Sequence, residues 1–124
     1  MFEIISTMQR GDAPVIVFSR GAAHALKDIA AIGADVVGLD WTVDIAGARS
    51  LIGESVALQG NLDPSFLYAS PENIRKEVRS ILRRFGPGPG HIFNLGHGIL
   101  PGVPVDHAIA MVRSVHEESP AFHR

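Results

Sequence analysis

The chain of 124 residues contains no cysteine. Disulfides, a thiolate zinc site and a cysteine nucleophile are therefore excluded, and the composition fits a reducing compartment. Charge of one sign is missing too. Eleven Lys and Arg against 13 Asp and Glu leave a formal net charge of −2, with the basic residues spread along the chain. Neither nucleic acid nor an acidic membrane surface is required as a partner. No apolar run approaches the ~20 residues of a membrane span, and the Met1 region lacks the basic-then-apolar pattern of a secretory signal. The expectation is a soluble, cytoplasmic chain whose 46% hydrophobic content supplies one globular core and no more.

What is present is a repeating unit. Pro14-Val15-Ile16-Val17-Phe18 is a β-branched apolar run of the kind buried on both faces of a parallel sheet. From Ala22 the period becomes helical, with Ala22, Ala25, Leu26, Ile29 and Ala30 on one face and Gly33 as the stop. Val36-Val37-Gly38-Leu39 repeats the strand and ends at Asp40-Trp41, after which Asp44 caps a helix carrying Ile45, Ala48, Leu51 and Ile52. Ser55 to Gln59 is the third strand, ending in Gly60-Asn61-Leu62-Asp63-Pro64. Ser70-Pro71 then starts a helix that buries Ile74, Val78, Ile81, Leu82 and Phe85. Its opposite face, with Arg75, Lys76, Arg79, Arg83 and Arg84, reads as a solvated face. Gly86-Pro87-Gly88-Pro89-Gly90 punctuates a helix exit.

The fourth strand begins at His91 and reads as a buried run stopping at Gly96-His97-Gly98. A helix follows from about Pro104 with Val105, Ile109, Val112 and Val115. Gly96 and Gly98 would permit unusual backbone angles and close ligand approach, leaving His97 to enter a pocket while neighbouring amides stay open to an anion. Met1 to Arg10 looks like the tail of a helix.

Four strand-helix units with short connections predict an α/β fold with parallel strands, both faces of the sheet covered, and right-handed crossovers. An open wound sheet and part of a (β/α)₈ barrel both fit, and a complete barrel takes ~250 residues. The polar residues at the strand ends are Ser19 and Arg20, then Asp40 and Trp41, then Gln59, Asn61 and Asp63, then Asn94 and His97. In a barrel, those ends form the working face.

Gly38-Leu39-Asp40-Trp41-Thr42, Leu58-Gln59-Gly60-Asn61-Leu62-Asp63-Pro64 and Asn94-Leu95-Gly96-His97-Gly98 stand in an order and spacing that resemble uroporphyrinogen decarboxylase. The resemblance covers nearly the whole chain and about the C-terminal third of that enzyme. It implies one domain over residues 1–124, the C-terminal half of a (β/α)₈ barrel. It further implies a homodimeric enzyme, without metal or organic cofactor, that decarboxylates the four acetate side chains of uroporphyrinogen III to give coproporphyrinogen III. His97 matches the histidine assigned to substrate binding. Asp40, Asn61 and Asp63 are carried over only as supports of the pocket floor, and Asp63 before Pro64 also reads as a helix cap. The family's arginine-rich loop, and its aspartate, tyrosine and serine substrate contacts, lie upstream of where this chain begins; Tyr68 is not that tyrosine. The expectation is a C-terminal fragment without decarboxylase activity alone, carrying no catalytic residue.

Two other readings stand beside this one. A corrinoid-dependent or cobalamin-independent methyltransferase shares the fold but holds zinc on histidine and cysteine, and this chain has no cysteine. His116-Glu117-Glu118 lacks a second histidine at helical spacing, His91 and His97 do not share a face, and His24, His107 and His123 read as surface residues. The third reading is a non-catalytic half-barrel that binds an anion at the loop from Gly96 to Gly98, or pairs with a second half-barrel through open strand edges.

Overall fold

The computed structural model describes residues 2–123. Its elements are α1 (Phe2–Thr7), β1 (Ile16–Phe18), α2 (Leu26–Ala31), β2 (Val36–Gly38), α3 (Ile45–Ile52), β3 (Ala57–Gln59), α4 (Pro71–Phe85), β4 (His91–Ile92) and α5 (Val105–Glu118). Short 3₁₀ turns precede α2 (Ala23–Ala25) and α4 (Pro64–Tyr68) and follow α5 (Ser119–Ala121). The expected N-terminal helix is short, and Met1 lies outside the described residues.

All strand pairs are parallel, in the unbroken order β1-β2-β3-β4. Ile16 lies opposite Val36, Val36 opposite Ala57, and Leu58 opposite His91. Successive helices α2, α3, α4 and α5 pack on one another. Val17, Val37 and Leu58 point toward them into a single core with Ile29, Ile45, Ile74 and Val78. Burying side chains such as these stabilises by roughly 1.5–3 kcal/mol each.

Among the described residues, no helix covers the other face of the sheet. Ile16 and Phe18, predicted as buried, are 50% and 45% exposed, and Ile92 is 43% exposed. The expectation that both faces are covered is therefore corrected. An open wound sheet would carry helices on both faces and reverse its strand order. One-sided cover and consecutive order are the geometry of a barrel segment, four parallel strand-helix units of an α/β half-barrel.

The fourth strand is also shorter than predicted. Only His91 and Ile92 pair as a strand, with an isolated parallel bridge from Leu62 to Leu95 beyond them. Its residues alternate between half-buried and exposed, because this edge has one neighbour. On α5, Val105, Ile109 and Val112 form an exposed stripe at helical spacing, while Val115 and Met111 pack inward.

α4 illustrates how local sequence and packing agree. Ser70 Oγ accepts from Asn73 N–H at 3.3 Å, Pro71 occupies the first turn, and Gly86 ends the helix with φ of 86°. Its five predicted core residues are all buried. Its end is held from another helix: Arg49 of α3 donates to Phe85 O at 2.6 Å and, just beyond the helix, to Pro87 O at 2.8 Å. The basic face is not simply solvated, since Arg75 and Arg79 each donate to Glu118 of α5 at 2.8 Å. Those two hydrogen bonds hold the Glu118 carboxyl below its ordinary range.

Candidate functional site

The loops after β1, β2, β3 and β4 interlock at one end of the sheet. Asp40, next to the end of β2, is 2% exposed. Its Oδ2 accepts from Gly21 N–H at 2.7 Å, and its Oδ1 accepts from Thr42 N–H at 2.8 Å and from Thr42 Oγ1. Burial alone would raise its pKa, but the Thr42 hydroxyl and the two amides outweigh it and hold the carboxyl ionised below the ordinary range. Asp40 thus ties the loop after β1 to the loop after β2.

Asn61 performs the next tie. Its buried Nδ2 donates to Asp40 O at 3.0 Å and Val43 O at 2.6 Å. The fourth loop closes on both, as Gly96 N–H donates to Leu62 O at 2.7 Å. A Cβ at Gly96 would stand 2.3 Å from Trp41 N and 2.8 Å from Trp41 Cα. Only glycine admits that approach. Gly98 is different: a Cβ there meets nothing within 4 Å. Neither glycine has a positive φ, so the expected unusual backbone angles are corrected, as is the expectation of an open amide at Gly96.

These contacts bring His97 against Trp41, ring centroids 5.8 Å apart and edge-on at 87°, and toward Phe18 at 6.3 Å. His97 is exposed and stands between two hollows. One, of about 380 Å³, lies on the open face of the sheet and is lined by Phe18, Gly38, Gln59, Asn94 and Ile99 together with His97. The other, of about 340 Å³, is lined by Trp41, Asp63, Ser65, Gly98 and Leu100 on its far side. The Arg20 guanidinium lies 5.1 Å from the centroid of the Trp41 ring.

The predicted strand-end residues therefore divide into three groups. Gln59, Asn94 and His97 line the larger hollow, and the Gln59 Oε1 atom is buried without a hydrogen-bond partner among the described residues. Asp40 and Asn61 are structural, and Asp63 caps the turn Pro64–Tyr68 by accepting from Ser65 N–H at 2.8 Å. Ser19 and Arg20 line a separate hollow against α2.

His24 is exposed as expected, but His107 and His123 are half-buried and corrected to structural roles, bonded to Leu67 O at 2.6 Å and Gly88 O at 2.9 Å. His91 stacks on Phe85 at 4.4 Å and bonds Gly60 O at 2.8 Å. Among the described residues, no group of three or more His, Asp or Glu is placed to hold a metal ion. No helix among them is long and apolar enough to cross a membrane. Sequence reasoning missed the placement of Arg20 on Trp41 and of Arg49 on Phe85; an arginine's ring partner carries no periodicity to find it by.

The family model described as uroporphyrinogen decarboxylase (URO-D) matches residues 1–118. A relative from Methylococcus capsulatus named uroporphyrinogen decarboxylase is 56% identical over 115 residues, covering 93% of this chain and 33% of that protein. Another of that name, from Saccharophagus degradans, is 51% identical over 128 residues, covering 100% of this chain and 36% of its own length. The chain spans about a third of the length of the curated relatives it matches. A solved methyltransferase from Methanosarcina mazei is similar in fold with a TM-score of 0.77 at 21% identity, covering 94% of this chain and 34% of that one.

Proposed function

The chain belongs to the uroporphyrinogen decarboxylase family, and on that premise we propose that residues 1–124 form the C-terminal half of a (β/α)₈ barrel that decarboxylates the acetate side chains of uroporphyrinogen III to coproporphyrinogen III. One observation carries this reading. The three segments that resemble the family interlock at a single end of the sheet and leave His97 exposed between two hollows, beside Trp41 and Phe18.

In the proposed reaction a pyrrole carbon is protonated, and the cationic ring accepts the electron pair released as carbon dioxide departs. The exocyclic methylene so formed takes a proton to become the methyl group, while the ring carbon gives its proton back. Stabilising such an intermediate needs fixed donors and charges in a cleft without bulk water. His97 binds substrate by donating to a carboxylate or by positioning a ring. Asn94 offers a further polar contact within the larger hollow, and the Asp40–Asn61 network holds the loops so that these groups do not move when charge develops. No residue of this chain is assigned the proton transfer.

The larger hollow opens on the uncovered sheet face, so the chain alone cannot keep water from the reacting ring. We therefore expect no turnover by the 124-residue chain, which requires a covering polypeptide. Pairing or aggregation through the open edges of β1 and β4 is expected in its absence. Coproporphyrinogen formation, measured for the chain alone and after mixing with a polypeptide carrying the preceding half of a relative's barrel, tests this. Activity is expected only in the mixture, and His97→Ala is expected to raise KM about tenfold or more through a lost charge-assisted hydrogen bond. Robust turnover by the chain alone, or an unchanged KM in the variant, would overturn the corresponding part.

A further inference from the structure

The rim holds a guanidinium whose donors meet no acceptor among the described residues. Arg20 follows β1 directly, is exposed, and sets its guanidinium 5.1 Å from the Trp41 ring centroid. Among the described residues, none of the ion pairs includes it, and no side chain or backbone carbonyl accepts its N–H groups. Asp40 feels its charge, yet both Asp40 oxygens already accept from Gly21 and Thr42. The carboxylate therefore favours a cation nearby without occupying its donors. On the same tryptophan ring, 5.8 Å away, rests His97.

We infer that Arg20 is a second carboxylate-binding residue of this rim, gripping a carboxylate side chain of the tetrapyrrole while His97 contacts another part of it. The inference rests on the proposed function and assigns a residue that the family resemblance did not. A guanidinium presents a planar fork that matches a carboxylate with two parallel hydrogen bonds. Stacking on an indole limits the rotamers of that fork before the ligand arrives, which lowers the entropy lost on binding. Arg49 shows the contrary case in the same molecule: it also lies over a ring, but Phe85 O and Pro87 O occupy its donors.

Trp41 is the single tryptophan of the chain, so its emission reports on this rim alone. The chain is titrated with uroporphyrin, the oxidised and unreactive counterpart of the substrate with the same carboxylate side chains, and quenching of Trp41 is followed at two salt concentrations. Saturable quenching is expected, with Kd raised about tenfold in Arg20→Gln and by less in Arg20→Lys, which keeps the charge and loses the fork. Salt is expected to weaken binding less in Arg20→Gln than in the unsubstituted chain. Arg83→Gln, on the exposed face of α4, is expected to bind unchanged. Far-UV circular dichroism establishes that each variant is folded. A folded Arg20→Gln that binds as tightly as the unsubstituted chain overturns the role of Arg20 and leaves the tetrapyrrole reading intact. Should Arg20→Gln fail to fold, a folded Arg20→Lys with unchanged Kd overturns it equally. Absence of saturable quenching in the unsubstituted chain overturns the tetrapyrrole reading, and Arg20's role with it.

Discussion

Two clusters, each of an arginine, an aromatic ring and a histidine, sit at different places in the fold. Arg20, Trp41 and His97 gather at the strand ends, and Arg49, Phe85 and His91 gather where β4 meets the C-terminal end of α4. In the second, the His91 and Phe85 rings stack at 15°, Arg49 lies 4.0 Å from the Phe85 centroid, and its N–H groups reach two carbonyls. In the first, the rings meet edge-on, the arginine has no acceptor among the described residues, and the histidine borders two hollows. The residue types do not distinguish a structural plug from a binding rim. What does is whether the arginine's donors are already taken.

The largest expected effect concerns the support under the rim. Gly96→Ala drives a Cβ into the Trp41 backbone and is expected to lose about 3 kcal/mol in urea unfolding, the upper range for overpacking. Gly98→Ala, with open space around it, is expected within ~0.5 kcal/mol of the unsubstituted chain. Equal losses at both glycines would break the account of how the fourth loop is held.

Next comes the contrast between the arginines. Arg49→Gln removes donors to two carbonyls and a ring contact, for an expected loss of about 2 kcal/mol. Arg20→Gln is expected to change stability by no more than ~0.5 kcal/mol. If Arg20 proved the more stabilising of the two, the assignment of one cluster to structure and the other to binding would be reversed.

The smallest effect is a pH dependence. Burial holds His91 below its ordinary pKa, opposed by its bond to Gly60 O and reinforced by the charges of His123 and Arg49. The folded chain therefore resists a proton that the unfolded chain accepts. Stability from this source is complete above about pH 6.5 and is lost as pH falls through the lower folded value. The urea midpoint is expected to fall on acidification from pH 7 toward 5, and His91→Gln, which keeps a donor for Gly60 O, to flatten that slope. A slope unchanged by His91→Gln would assign the dependence to other groups.

Much of the chain was legible from local patterning. Asp44, Ser70 and Gly86 marked helix boundaries because caps act through neighbouring backbone groups, and each acts as read. Asp63 before Pro64 likewise caps its turn. The β4 run to Gly98 and the burial of Ile16 and Phe18 were over-read, because an apolar pattern records which side chains favour burial. It does not record whether a neighbour is there to bury them.

The sequence by itself determined the four alternating units, their parallel sense and the polar strand ends, since periodicity and capping depend on residues a few positions apart. It also carried the family resemblance through the three segments containing Asp40, Asn61 and His97. Only the tertiary structure decided that Asp40 and Asn61 are consumed in bracing loops while His97 and Arg20 remain available around Trp41. Hydrogen-bond satisfaction is settled between segments roughly twenty or more residues apart, where backbone approach, as at Gly96 on Trp41, fixes which donors find a partner.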